Sequence, residues 1–190
     1  MRSDAARNSE AILQAARDVV AEEGIGASMV RIAERAGVAV GTLYRHHPSK
    51  DHLVGAVVQD ATRRLVDLLD AALARIETDG DVGREFETAL ASAAETYATD
   101  RAFKEYRAQA RGAAVDLPGA DQLEARGYAA LDDLVAAAHR AGTLRADVGA
   151  ADVLEILAAV PTSPERRATY LAVVLAGLRS APRRDSPVGR

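Results

Sequence analysis

The chain has 190 residues, room for one domain or two small ones, and its 42 alanines, 4% aromatics and 20 glycines and prolines point to an all-α protein and exclude a loop-rich β-sandwich or a disordered chain. It has no cysteine, which excludes a disulfide scaffold, a thiol nucleophile and a Cys-ligated metal. The net charge of −4 argues on average against nucleic acid, yet residues 28–50 set Arg31, Arg35, Arg45 and Lys50 against Glu34 alone, while residue 56 onward holds 17 basic and 21 acidic side chains.

About nine helices are predicted. Ile12, Leu13, Ala16, Val19 and Val20 form one apolar stripe that stops at Gly24 and Gly26. Ser28 caps a short helix running to Ala36, with Gly37 just past its end. A second short helix, about 40–47, stops at Pro48; Ser49 then caps a long one carrying Leu53, Val57, Val58, Leu65, Leu68, Leu69, Leu73 and Ile76. Residues 79–83 break it. In the next helix Val82, Phe86, Leu90, Ala93 and Tyr97 recur at spacings of three and four. Residues 101–111 read as a shorter helix and 116–119 as a loop. A helix with Leu123, Leu131, Leu134, Val135 and Ala138 ends at Gly142. Residues 152–160 form another, stopped by Pro161, and Pro164 opens the last, to about Arg179. Residues 182–190 read as a polar, disordered tail. No strand or internal repeat stands out. The longest run without a polar residue, 170–178, is half of the ~18 residues that span a bilayer. No charged segment leading into an apolar core opens the chain, so a cytoplasmic protein with no membrane partner is expected.

Function concentrates in residues 28–50. Ala33 is small enough for a second helix to cross close by, Gly37 takes the positive φ of a sharp turn, and Leu43 points back to Ile32 and Val38. This Ala-x3-Gly-x5-Leu spacing is that of a helix-turn-helix, whose second helix enters the major groove; two packed core helices are the plainer alternative. The polar residues around the turn sharpen the choice. Gly41 lets backbone approach a phosphate or base edge, Thr42 and Tyr44 offer hydroxyls, and Arg45 and His46 are further donors. Lys50 sits in the first turn of a helix, where a bound phosphate would meet backbone N–H groups, dipole and ammonium together.

The run Gly-Val-Ala-Val-Gly-Thr-Leu-Tyr-Arg-His-His-Pro-Ser-Lys-Asp-His-Leu at 37–53 resembles the helix-turn-helix of the TetR family of transcriptional regulators, with a close match over about residues 8–55. A second segment, 140–148, is similar to the loop before the last two helices of many members. The resemblance implies a three-helix DNA-binding head at 1–53, a helical bundle for effector binding and dimerisation at 54–181, and a tail at 182–190. It implies a homodimer that represses at a palindromic double-stranded DNA operator and is released by a small-molecule effector, with no cofactor. By position, Thr42, Tyr44, His46 and Lys50 correspond to DNA-backbone contacts, and Val40 and Gly41 to groove-facing positions. Two residues depart from the family pattern. Ala39 stands where a Ser or Thr usually caps the recognition helix, a loss of ~1 kcal/mol, and His47 replaces the usual Phe.

Other classes fit less well. Gly24-Ile25-Gly26 follows a helix rather than a strand, and no P-loop, Gly-x-Ser-x-Gly or His-Glu-x-x-His is present, so no enzyme is expected. His46, His47, Asp51 and His52 straddle Pro48 and need not converge on a metal. An architectural DNA binder without effector would not need some 130 residues after the head. The aromatics of the central helices suggest an effector pocket formed by Phe86, Leu90, Tyr97, Phe103, Tyr106 and Tyr128, although each alone fits an ordinary core. In the last helix Leu171, Val174, Leu175 and Leu178 share a face beside a stripe of Ala168, Ala172 and Ala176, which predicts a dimer through the last two helices.

Overall fold

A computed structural model describes residues 2–24, 26–78, 80–100 and 119–180. They form eight helices: α1 Arg2–Glu23, α2 Met29–Ala36, α3 Val40–His46, α4 Lys50–Thr78, α5 Val82–Thr99, α6 Ala120–Arg140, α7 Ala150–Ala158 and α8 Pro164–Leu178. The helix expected at 101–111 and the tail at 182–190 lie outside the described residues, as do Phe103 and Tyr106. The β-structure among the described residues is a single isolated bridge between Leu144 and Arg179.

Local chemistry sets the helix ends. Ser28 Oγ accepts the Val30 N–H at 3.2 Å, Ser49 Oγ the His52 N–H at 3.1 Å, and Asp81 Oδ1 the Arg84 N–H at 3.1 Å. At the start of α7 the roles reverse, and Asp152 Oδ2 accepts the Gly149 N–H at 2.7 Å. One boundary differs from expectation: α1 begins ten residues before Ile12, in a stretch where Ala and Arg are good helix formers.

Two apolar cores follow. The first gathers Ile12, Ala16, Val19 and Val20 of α1, Ile32 and Ala33 of α2, Leu43 of α3, and Leu53 and Val57 from the first turns of α4. The second gathers Val58 and Ala61 of α4, Phe86, Leu90 and Ala93 of α5, Leu131 and Leu134 of α6, Val153 and Leu157 of α7, and Leu178 of α8. We call these units the head and the body. Helix α4 belongs to both, and the switch falls between Val57 and Val58. In the body α4 packs on α5 and α6, and α7 closes against α5 and α6. No helix of the described residues is long and apolar enough to cross a membrane.

Candidate functional site

Helices α2 and α3 and the turn between them form the helix-turn-helix. Ala33 and Leu43 are fully buried and Ile32 nearly so. The turn is fixed by backbone: Gly37 N–H reaches Glu34 O at 3.2 Å and Val38 N–H reaches Ala33 O at 3.1 Å, with Gly37 at φ +68°. A side chain at Gly37 would meet open space, so this glycine is required by its torsion and not by crowding. Gly41 is exposed with open space around it, and nothing inside the protein asks for glycine there. As the sequence suggests, Ala39 offers α3 no side-chain cap.

Most of the polar residues expected at the interface face outward. Tyr44 is 46% exposed, Arg45 is exposed, and Thr42, His46 and Lys50 are partly so; Arg45 Nη2 donates to Thr42 Oγ1 at 3.0 Å. Val40 is different, because it packs partly against the head core and offers only part of its surface. The basic patch is also smaller than the sequence window implies. Arg35 pairs with Glu22 at 2.9 Å and Arg31 with Glu23 at 3.3 Å, partners on α1 that lie outside the window. Arg45 and Lys50 carry no ion pair among the described residues.

His47, just past α3, is 6% exposed. Its Nδ1 lies 3.2 Å from His52 Nδ1, while its Nε2 is buried and has no hydrogen-bond partner. Burial, then the nearby His52 and His46, push its pKa from 6.5 down to about 4, so the ring is neutral at physiological pH. With the His47 ring neutral, the two Nδ1 atoms form a hydrogen bond only if one of them donates and the other accepts. Among the described residues no three His, Asp or Glu converge as metal ligands.

The body holds an apolar cavity of about 90 Å³ that opens to solvent. Phe86, Leu90 and Tyr97 of α5 line it and are buried; Tyr128 of α6 lines it and is 51% exposed. These are the four of the six sequence-selected residues that the described structure contains, and it brings them together. Sequence reasoning missed Thr62, Leu65, Leu68 and Leu69 of α4 and Leu154 and Leu157 of α7, which also line the cavity. Their apolar stripes were visible, but a stripe looks the same whether its neighbour fills the space or leaves it open. Glu124 contributes a carboxylate to the wall.

A helix-turn-helix with outward donors, set on a helical body with an internal cavity, defines a DNA-binding regulator. A family model for bacterial regulatory proteins of the TetR family matches residues 12–57, and one for the C-terminal domain of SbtR-like transcriptional regulators matches residues 81–180. The crystal structure of a TetR transcription regulatory protein from Mycobacterium vanbaalenii is 38% identical, with a TM-score of 0.66, over 94% of this chain and 98% of that one. A TetR transcriptional regulator from Streptomyces coelicolor is 29% identical, with a TM-score of 0.66, over 91% and 99%. A curated HTH-type transcriptional repressor from Mycobacterium tuberculosis is 48% identical over 60 residues, 31% of this chain, and the match spans about a third (32%) of that relative's length. The chain belongs to the TetR family of transcriptional regulators, and its activity is DNA-binding regulation of transcription.

Proposed function

We propose that this regulator is a repressor that holds a palindromic operator as a homodimer in the cytoplasm and releases it when a small effector fills the body cavity. The cavity is the observation that carries the reading. A DNA-binding protein that only organised DNA would have no need of an apolar space lined by four helices. The wall favours an effector with an apolar or flat body and few polar groups, which Tyr97, Tyr128 and Glu124 would meet. The reading assigns residues 1–53 to DNA and 54–181 to effector and partner. Lys50, Thr42, Tyr44 and His46 hold the phosphate backbone, Arg45 supplies a further donor, and Val40 and Gly41 face the groove. No catalytic step is assigned.

A partner is supported by α8. Its inner side is anchored: Leu178 is buried, the Tyr170 hydroxyl donates to Ile156 O at 2.7 Å, and the 8%-exposed Arg167 pairs with Glu95 at 3.0 Å. Its outer side shows solvent Ala168, Ala172, Ala176 and Gly177, with Val173 at 68% exposure. Small residues let a second copy of the helix approach closely, and a two-fold dimer sets two recognition helices about one DNA turn, or a multiple, apart. The test is selection of genomic fragments by the purified protein, repeated in the presence of a metabolite panel. A palindromic motif whose binding is lost with one class of compound is expected. Tight sequence-selective binding with no effector anywhere in the panel would favour the architectural alternative, and a monomer in sedimentation at micromolar concentration, with and without DNA, would remove the dimer.

A further inference from the structure

Head and body are joined by the continuous α4, but they are also joined by charge. Arg17 of α1 places Nη1 2.6 Å from Asp60 Oδ2 on α4. The same carboxylate oxygen takes Nη1 of Arg64, one turn further along α4, at 2.5 Å. The other terminal nitrogen of Arg64 reaches Asp100 Oδ2, just past the end of α5, at 3.1 Å. Two carboxylates and two guanidiniums thus alternate from head to body. Three of them are well shielded, with side-chain exposures of 22% for Arg17, 25% for Asp60 and 11% for Asp100, so salt screens them less than an open surface pair. Three of the four, Arg17, Arg64 and Asp100, line a polar cleft shared by α1, α4 and α5 together with Asp18, Thr96 and Thr99. Along that cleft ion pairs join α1 to α4 and α4 to the end of α5.

The body half of this chain lies on the same stretches of α4 and α5 as the cavity wall. Thr62 and Leu65 line the cavity from the same turn of α4 that carries Asp60 and Arg64, and Tyr97 lines it one turn before Asp100 on α5. Any change in the separation of α4 and α5 that an occupant imposes must therefore alter the reach of Arg64 to Asp100. Because Arg64 and Arg17 share one oxygen of Asp60, a shift of Arg64 also changes how Arg17 is held.

We propose that Arg17, Asp60, Arg64 and Asp100 form an ion-pair relay that ties the seating of the head to the spacing of α4 and α5. Its use in regulation rests on the reading of the cavity as the effector site; the relay itself does not. Asp60 and Arg64 are positioning residues, acting on DNA only through α1.

The relay is tested with a labelled duplex that the unmodified protein recovers from a random-sequence pool. No ion pair joins Arg17 to Asp100 directly among the described residues. Even so, Arg17→Gln and Asp100→Asn should each weaken duplex binding at least threefold, and the double variant should be no weaker than the worse single. Arg75→Gln is the control: it breaks the 2.7 Å pair with Glu85 between α4 and α5 away from the cleft, and should combine multiplicatively with Arg17→Gln. Helicity by circular dichroism, and partial rescue in Arg64→Lys, which keeps one of the two contacts, separate a seating effect from misfolding. Effects of Arg17→Gln and Asp100→Asn that multiply, or no effect of either, overturn the relay. The neutral dye N-phenyl-1-naphthylamine then probes the cavity. It should weaken duplex binding at least fivefold in the unmodified protein and less than twofold in Arg64→Gln at unchanged dye affinity; full weakening in Arg64→Gln overturns the relay. If the dye enters yet leaves duplex binding alone while the Arg17–Asp100 coupling persists, the relay stands and the effector reading falls.

Discussion

The head and the body solve opposite packing problems with the same residue types. The head core locks three helices and the start of α4 around fully buried Ile12, Ala33 and Leu43, so the outward donors of α3 are held at fixed separations. The body core is larger, and Ala89 and Ala93 of α5 share the cavity wall with Leu65, Leu68 and Leu69 of α4. Short side chains at those two positions leave room that long ones would fill. A surface that reads DNA needs one geometry, whereas a core with the proposed effector role needs space and give.

Leu43→Ala should be the most damaging test of that contrast. With no space beside it, truncation should cost about 4 kcal/mol, toward the upper end for such changes, and abolish DNA binding by loosening the head. Leu90→Ala, already at a cavity wall, should cost about 2 kcal/mol. Urea unfolding with residue-level hydrogen exchange compares the two, and equal losses would erase the distinction. The next effect belongs to His47. Its pKa is about 4 folded and 6.5 unfolded, so between those values the unfolded chain binds a proton that the folded head refuses. Stability of the head should be fully present above pH 6.5 and fall by about 3 kcal/mol as the pH drops to 4. In His47→Phe that part of the slope should vanish, and an unchanged slope in denaturation curves across this range would place the proton elsewhere.

Filling the body should act on the head as an occupant does. Ala93→Phe is expected to weaken dye or effector binding about tenfold or more, roughly 1.4 kcal/mol, and to lower DNA affinity as the dye does. Full DNA affinity beside a blocked cavity would mean that the spacing of α4 and α5 does not reach the head. The smallest effects lie on the docking surface. Lys50→Ala should lower affinity for every duplex alike and reduce the salt slope by about one unit per half-site. Tyr44→Phe should cost only about threefold, through one lost hydroxyl contact, in a binding series across salt concentrations.

Much of the head was legible because its requirements are local. Ser28, Ala33, Gly37, Leu43 and Ser49 each answer a cap, a close crossing or a turn within a few residues, and each stands where that reading puts it. What escaped the sequence is non-local. A charge window counts Arg31 and Arg35 as available, but their partners Glu23 and Glu22 lie on the preceding helix. Arg17 and Asp60 are 43 residues apart, and Arg64 and Asp100 are 36 apart, with no spacing rule to join them. The aromatics hinted at the cavity, but its α4 and α7 walls depend on how far apart helices settle.

Helix α4 runs unbroken for 29 residues, a rod of about 43 Å with the cavity beside its middle and Lys50 at its first position. As a lever it magnifies angle into distance. A tilt of about 5° about its far end swings its first turn by about 4 Å, slightly more than the roughly 3.4 Å between successive base pairs. Under the proposed function a ligand would have no need to unfold anything to change the register of the head on DNA; a few degrees, multiplied by the length of one helix, would be enough.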